Sequence, residues 1–150
     1  MATLTRMVKL TKGSKTNAQI IQQARRIVAP VPAKDWFGEA EAIQNWVRDN
    51  IRYTRDPYGV ETLQTPEVTL SERQGDCDDQ SVLVGALLSG IGHPVRYRAV
   101  SVKQYPNTLC HVYTETKIGS AWVAVETTEN WPLGHVPEMV NLKGNVIRHV

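Results

Sequence analysis

The chain is poor in cysteine, with only Cys77 and Cys110 among its 150 residues. Two cysteines exclude a disulfide-dense scaffold, which needs several pairs to compensate for a small hydrophobic core. The first ten residues mix charged, polar and apolar side chains and lack the charged-then-apolar order of a secretory signal. We therefore expect free thiols and a cytoplasmic location, with a single disulfide between the two cysteines as the alternative.

Long hydrophobic runs and a strong net charge are also missing. No apolar run approaches the ~20 residues that span a bilayer. Lys and Arg number 17 against 15 Asp and Glu, and a net charge of +2 gives no reason to expect nucleic acid or a membrane as partner. A hydrophobic content of 41% is ordinary for a globular protein. These values, together with the absence of an internal repeat, predict one domain over residues 1–150.

Hydrophobic periodicity predicts three helices in the first ninety residues. They cover about residues 16–29, Asp35 to about Asn50, and Asp76 to Ser89. Pro30 ends the first helix, and Asp35 is the expected N-cap of the second. Between the second and third helices, the segment Ile51–Pro66 carries turn signals such as Asp56-Pro57-Tyr58-Gly59 and is expected to be irregular.

The second half of the chain alternates apolar and polar residues, as strands do. The predicted strands are Val95–Val102, His111–Thr116, Ala121–Glu126 and a weak last strand near Val146–Val150. Lys117–Ser120 is short enough to connect two of them as a hairpin. Helices followed by strands predict an α+β fold, with N-terminal helices packed on an antiparallel sheet.

Cys77 stands at the start of the third predicted helix, directly after Gly75-Asp76. The N–H groups and the positive dipole end of a helix start favour a thiolate, which is the nucleophilic form of cysteine. Asp78 and Asp79 oppose the thiolate, so a nearby base would have to activate it. The alternative interpretation of Cys77 is a small buried hydrophobic residue.

His111 and Glu126 are the candidate partners of Cys77. If Lys117 pairs with Ser120 in the hairpin, His111 lies directly opposite Glu126 on the same sheet face. A thiol, an imidazole and a carboxylate form a nucleophile–base–orienter set, and we expect the helix start to lie against this face. The other three histidines, which have no comparable carboxylate pairing, are assigned structural roles: His93, His135 and His149. Cys110 should point to the opposite face from His111, buried and inert.

The sequence predicts no metal site and no cofactor. The acidic residues after Gly75 do not fit a calcium loop, because Ser81 stands at the sixth position, where glycine is required, and Leu87 at the twelfth, where glutamate is required. Neither of the common zinc spacings, Cys-x-x-Cys or His-Glu-x-x-His, occurs in the chain.

Four segments of the chain, taken in order, resemble the transglutaminase-like superfamily. That family's pattern is a Gly-x-Cys helix start, a Gly-x-Pro-x-Arg segment leading into a strand, a His strand, and a Trp followed by Asp on the next strand. The matching segments are Gly75-Asp76-Cys77-Asp78-Asp79, Gly92-His93-Pro94-Val95-Arg96, His111-Val112-Tyr113, and Trp122-Val123-Ala124-Val125-Glu126-Thr127-Thr128. The match covers about residues 35–135 and is similar to short bacterial and bacteriophage-encoded members.

The resemblance implies a papain-like α+β core with a Cys-His-Asp triad at Cys77, His111 and Glu126. Glu126 departs from the family's Asp by one methylene, which leaves its geometry open. The resemblance also implies an oxyanion hole, for which the backbone N–H of Cys77 and the side chain of Gln74 are the candidate donors. A bacteriophage-encoded member would work in the host cytoplasm.

Two classes of function follow from this sequence. The first is a cysteine-dependent acyl-transfer enzyme acting on an amide of a protein or peptide, with hydrolysis preferred over transfer to a lysine amine. The second is a catalytically silent structural or protein-binding module on the same fold, for example in phage particle assembly. Binding of nucleic acid through Arg96 and Arg98, which share one strand face, is a distant third. No pattern in the sequence indicates an oligomeric state.

Overall fold

The computed structural model describes residues 2–55 and 62–150. The predicted turn at residues 56–59 lies outside this range. The helices are α1 (Ala2–Ser14), α2 (Ala18–Val28), α3 (Trp36–Asn50), α4 (Pro66–Glu72) and α5 (Cys77–Gly90). The strands are β1 (Arg52–Tyr53), β2 (Gln74–Gly75), β3 (Val95–Val102), β4 (His111–Ile118), β5 (Ala121–Val125) and β6 (Val140–His149). The α+β class and the three predicted helices are confirmed.

Two helices, α1 and α4, were not predicted. In α1 the buried face consists of Leu4, Met7, Thr11 and Ser14. Their spacing is helical, but half of them are polar, so no hydrophobic stripe marks the helix. Helix α4 falls partly in the segment that was expected to be irregular, and its start is set by Thr65, whose side chain accepts the Val68 N–H.

A four-stranded antiparallel sheet in the order β5-β4-β3-β6 forms the second layer. The final strand, β6, begins six residues before the predicted Val146. In the hairpin, Lys117 pairs with Trp122 and Ile118 with Ala121, so the predicted pairing of Lys117 with Ser120 is wrong by two residues. The turn consists of Gly119 and Ser120, because Gly119 adopts the left-handed conformation, at φ 64°, that such a tight turn requires.

Helix α5 is the central element of the helical layer. All ten residues from Asp79 to Leu88 are buried, so the helix is enclosed on every side. Its start is fixed by a capping box, in which the Asp76 side chain accepts the Asp79 N–H and the Asp79 side chain accepts the Asp76 N–H. Within the described residues, no helix has both the length and the hydrophobicity required to cross a membrane.

Helix α5 approaches the sheet most closely where Gly85 meets Tyr97. Tyr97 is fully buried, and its hydroxyl lies 2.5 Å from Thr11 Oγ1 of α1. A Cβ added at Gly85 would lie 1.9 Å from the Tyr97 hydroxyl oxygen. Glycine is therefore required at this helix–sheet contact, which also connects the first helix to the sheet.

We predict that Gly85→Ala lowers the free energy of unfolding by about 1–3 kcal/mol, because the added methyl group forces Tyr97 or the helix to move. Urea denaturation monitored by circular dichroism measures the change. Gly13→Ala is the control, since an added Cβ there meets nothing within 4 Å and should raise stability by up to about 1 kcal/mol. Equal stabilities of the two variants would contradict the close contact.

Candidate active site

Cys77 is the first residue of α5, immediately after its cap. The capping box engages the N–H groups of Asp76 and Asp79. No hydrogen bond to a described residue involves the backbone N–H of Cys77, which leaves it available as the predicted oxyanion donor. The residue is half-buried, as a thiol that substrate must reach requires.

The Cys77 sulfur lies at the edge of the sheet rather than against one of its faces. Lys117 of β4 donates its N–H to Pro94, on the β3 side, and N–H groups alternate in direction along a strand, so the N–H of Val112, five residues earlier, points away from β3. The first paired residue of β4 on that other side is Thr114, opposite Val125, and Val112 therefore has no strand partner there. Its N–H lies near the Cys77 sulfur, where it partly offsets the rise in the pKa of the thiol.

This geometry corrects the expected packing. Helix α5 contacts the sheet face that carries Val112 and Thr114, as the hydrogen bond from Thr114 Oγ1 to Ser81 O, at 2.9 Å, shows. His111 and Tyr113 alternate with these residues and lie on the opposite face, with their rings 6.1 Å apart. The Cys77 sulfur bonds to Asp78 and the His111 ring to Glu126, and no hydrogen bond joins the sulfur to the ring. Both side chains lie at the end of β4 where β5 has already stopped.

His111 and Glu126 are in contact, as the sequence predicted, although the pairing that led to the prediction is shifted. Nε2 of His111 bonds to one carboxylate oxygen of Glu126. The other oxygen, Oε1, accepts the N–H groups of Thr127 and Thr128 and the Thr128 hydroxyl, each at 2.9 Å. Because Nε2 is engaged by Glu126, Nδ1 is the ring nitrogen available to the thiol.

The pKa values of this pair move in opposite directions. Burial alone would lower the pKa of His111, but the hydrogen bond and the negative charge of Glu126 outweigh it and raise the pKa. Burial alone would raise the pKa of Glu126, but the bonds from His111 and Thr128 lower it. Glu126 is only 2% exposed, so these contacts favour a carboxylate beside an imidazolium.

The charges around Cys77 disfavour the thiolate. Burial, followed by the carboxylates of Asp78 and Asp76, raises the pKa of the Cys77 thiol to about 12. The thiol donates a hydrogen bond to Asp78 Oδ1 at 3.6 Å. These effects outweigh the dipole of the helix start, which by itself favours a thiolate, and the expected opposition of the acidic first turn is confirmed for Asp78. The resting residue is therefore a neutral thiol, and a base must remove its proton during the reaction.

Several residues around the pair carried no recognised sequence signal. The Trp131 ring stands edge-on to His111, with the ring centroids 5.9 Å apart. Gln44 and Arg48 of α3 donate to main-chain carbonyls between Glu126 and Trp131. The threonine two residues after Glu126 is a signal that could have been used, because a Thr at that spacing commonly bonds to a preceding carboxylate.

Two other predicted residues are placed differently from what the sequence suggested. The Gln74 side-chain oxygen accepts a hydrogen bond from Arg52 at 3.0 Å, which directs it to the β1–β2 pair. Cys110 was expected to be buried, and this was wrong: it is exposed because it precedes β4 rather than lying within it. Both cysteines are free thiols.

The remaining histidines include one correction. His93 has a carboxylate partner after all, since its Nε2 lies 2.8 Å from Glu39 Oε1. This partly buried pair joins α3 to the turn that precedes β3. Arg96 and Arg98, the candidate nucleic-acid contacts, both pair with the buried Glu115, at 2.6 and 3.2 Å.

No cluster of three or more potential metal-ligating His, Cys, Asp or Glu residues occurs within residues 2–55 and 62–150.

Comparison with known protein families identifies the superfamily of this chain. The family model described as transglutaminase-like superfamily matches residues 21–127, which include Cys77, His111 and Glu126. The chain belongs to the transglutaminase-like superfamily. Among curated proteins, none matches this superfamily member.

Solved structures with the same fold come from several bacteria. A candidate cysteine protease from Cytophaga hutchinsonii has a TM-score of 0.61 at 22% identity, over 86% of this chain and 40% of the other. A candidate protease from Parabacteroides distasonis has a TM-score of 0.67 at 14% identity, over 87% and 26%. Legionella pneumophila LapG has a TM-score of 0.62 at 13% identity, over 93% and 86%. This superfamily member thus spans well under half the length of the first two proteins, and what it shares with all three is the fold.

We predict that Asp78→Asn lowers the pKa of Cys77 below about 12, since it removes a carboxylate that accepts the thiol hydrogen. Iodoacetamide alkylation measured against pH, in a Cys110→Ser background, reports this pKa. The Cys77 rate at a fixed pH should rise. Asp49→Asn, which removes an exposed carboxylate from α3, is the control, and an equal rate in both variants would show that Asp78 does not suppress the thiolate.

Proposed function

We propose that this superfamily member is a cysteine-dependent acyl-transfer enzyme that hydrolyses an amide bond in a protein or peptide. One observation supports the proposal: the buried Glu126 carboxylate bonds to Nε2 of His111 at the end of β4 that packs against the first turns of α5, the helix that begins with Cys77. The N–H of Val112, the residue after His111, lies near the Cys77 sulfur. This is the arrangement of a nucleophile, a base and an orienting carboxylate.

In the first half-reaction, the Cys77 sulfur attacks the amide carbonyl carbon while Nδ1 of His111 takes the thiol proton. The backbone N–H of Cys77 stabilises the negative oxygen that develops on the carbonyl. The C–N bond then breaks, and the imidazolium gives its proton to the departing amine. In the second half-reaction, His111 takes a proton from water as the water oxygen attacks the thioester carbonyl. The C–S bond then breaks, the carboxylic acid leaves, and the imidazolium returns its proton to the Cys77 sulfur.

Transfer of the thiol proton to His111 depends on pH, because the contacts of the resting ring favour an imidazolium. His111 accepts a proton only when its ring is neutral, and Glu126 raises its pKa above the ordinary value of 6.5. Turnover should therefore rise as the pH increases through that raised pKa.

Hydrolysis is preferred to transfer onto an amine because two proteins of the same fold bear protease names. The two reactions differ only in whether water or an amine attacks the thioester.

A silent binding module on the same fold is the second candidate. Two observations favour it: the neutral, carboxylate-bonded thiol of Cys77, and glutamate in place of the aspartate of the superfamily pattern. Such a module would bind a protein partner through this fold without turnover.

Cleavage of a peptide library, with the products identified by mass spectrometry, tests the enzyme. The Cys110→Ser protein should cleave a subset of peptides, and Cys77→Ala in the same background should cleave none. Adding a primary amine distinguishes the outcomes, because a transglutaminase would form amine-linked products. Cleavage that persists without Cys77 would exclude this nucleophile, and a chain that cleaves no peptide would favour the silent module.

We predict that Glu126→Gln lowers kcat by a factor on the order of 10⁴, as expected when the carboxylate that orients a catalytic histidine is neutralised. Because the charge of Glu126 raises the pKa of His111, the substitution should also move the acid limb of the pH–rate profile to lower pH. Steady-state kinetics across pH measure both effects. Glu129→Gln, an exposed carboxylate that acts on His111 only through its charge, should change kcat little. Turnover of Glu126→Gln equal to that of Glu129→Gln would make Glu126 a bystander.

A further inference from the structure

Two side chains of α3 reach across to the segment that follows β5. Gln44 and Arg48 lie four residues apart and therefore on the same side of the helix. Gln44 Nε2 donates to the carbonyls of Glu126, at 2.9 Å, and Trp131, at 3.1 Å. Arg48 Nη2 donates to Glu126 O at 2.9 Å, Glu129 O at 3.2 Å and Trp131 O at 2.7 Å.

These five hydrogen bonds satisfy main-chain carbonyls of the segment, as the hydrogen bonds between paired strands would do in a sheet. Residues 126–139 lie in neither a helix nor a strand, so their carbonyls have no regular partner, and buried carbonyls need one. Gln44 is 1% exposed, which makes its contacts fully shielded from water. All three Arg48 bonds leave Nη2, which carries two hydrogens, so at least one hydrogen is shared between two carbonyls.

Glu126 and Trp131, whose carbonyls are held by α3, also flank the imidazole of His111 with their side chains. Glu126 bonds to Nε2 through its side chain, while α3 holds its carbonyl. Trp131 places its ring edge against the imidazole, and α3 holds its carbonyl as well. Any displacement of this backbone would change the distance between the carboxylate and the ring.

We infer that Gln44 and Arg48 are positioning residues, which keep Glu126 on Nε2 of His111 by fixing the backbone between Glu126 and Trp131. The inference rests on the proposed function for its catalytic consequence. Neither residue touches the reacting atoms in this scheme; both act through the carbonyls that they bind.

The pKa of His111 distinguishes two ways in which Arg48 could act on the ring. A positioning effect and a direct effect of the positive charge change this pKa in opposite directions. A guanidinium that acted on His111 only as a positive charge would lower the pKa of the ring, and its removal would raise that pKa. A guanidinium that holds Glu126 in place sustains the raised pKa of His111, and its removal would lower it. Gln44 carries no charge, so only the positioning effect predicts a change when it is replaced.

The test is an NMR titration of the histidine ring protons, with the His111 signal assigned by its loss in His111→Ala. Arg48→Met and Gln44→Met should both lower the pKa of His111, towards the value in Glu126→Gln, and Arg48→Lys should lower it less than Arg48→Met. Arg25→Met, which removes an exposed arginine from α2, controls for the lost charge and should leave the pKa unchanged. Thermal melting followed by circular dichroism identifies the folded variants.

An unchanged or raised His111 pKa in folded Gln44→Met and Arg48→Met would overturn the inference. If Arg48→Met does not fold, Gln44→Met and Arg48→Lys decide in the same way. The titration requires no turnover, so its result stands even if Cys77 proves to have no hydrolytic activity. Where the protein does cleave peptides, Gln44→Met should lower kcat with KM nearly unchanged and shift the acid limb of the pH–rate profile to lower pH.

Discussion

The buried pair of Glu126 and His111 is the interaction on which the rest of the site depends. A carboxylate that is only 2% exposed is strongly disfavoured unless charged or polar partners replace its lost hydration. Here the imidazole satisfies one oxygen, and Thr127 and Thr128 satisfy the other. The backbone must leave the sheet immediately after Val125 to bring these groups together, and this departure also opens the edge of β4.

The open edge of β4 lies where the start of α5 approaches the sheet. Helix α5 packs against one face, whereas His111 lies on the other. Because β5 ends early, the N–H of Val112 has no strand partner on that side and lies near the Cys77 sulfur. The capping box of Asp76 and Asp79 fixes the first turn of α5 and hence the position of Cys77.

The glutamate in place of the superfamily's aspartate fits the register of this hairpin. The pairs of β4 and β5, such as Thr114 with Val125, place position 126 opposite Tyr113 when continued by one residue. His111 is then the diagonal neighbour, and diagonal positions are about 7–8 Å apart rather than about 5 Å. The additional methylene of Glu126 suits this longer distance. Its carboxylate is also held by Thr128, two residues later.

Local sequence determined the elements and the identity of the candidate site. Asp76 and Asp79 specify where α5 begins, since a capping box depends only on residues three apart. The two-residue periodicity places His111 and Glu126 on one sheet face for any hairpin register shifted by two, which is why their contact was predicted correctly from a wrong register. Only the tertiary structure decided the rest. The buried polar stripe of α1, the pairing of His93 with Glu39 and the bonds from Arg48 to the backbone near Glu126 join segments that are distant in the chain. No local pattern encodes such contacts, because a polar side chain has the same sequence signature whether it faces water or a buried partner.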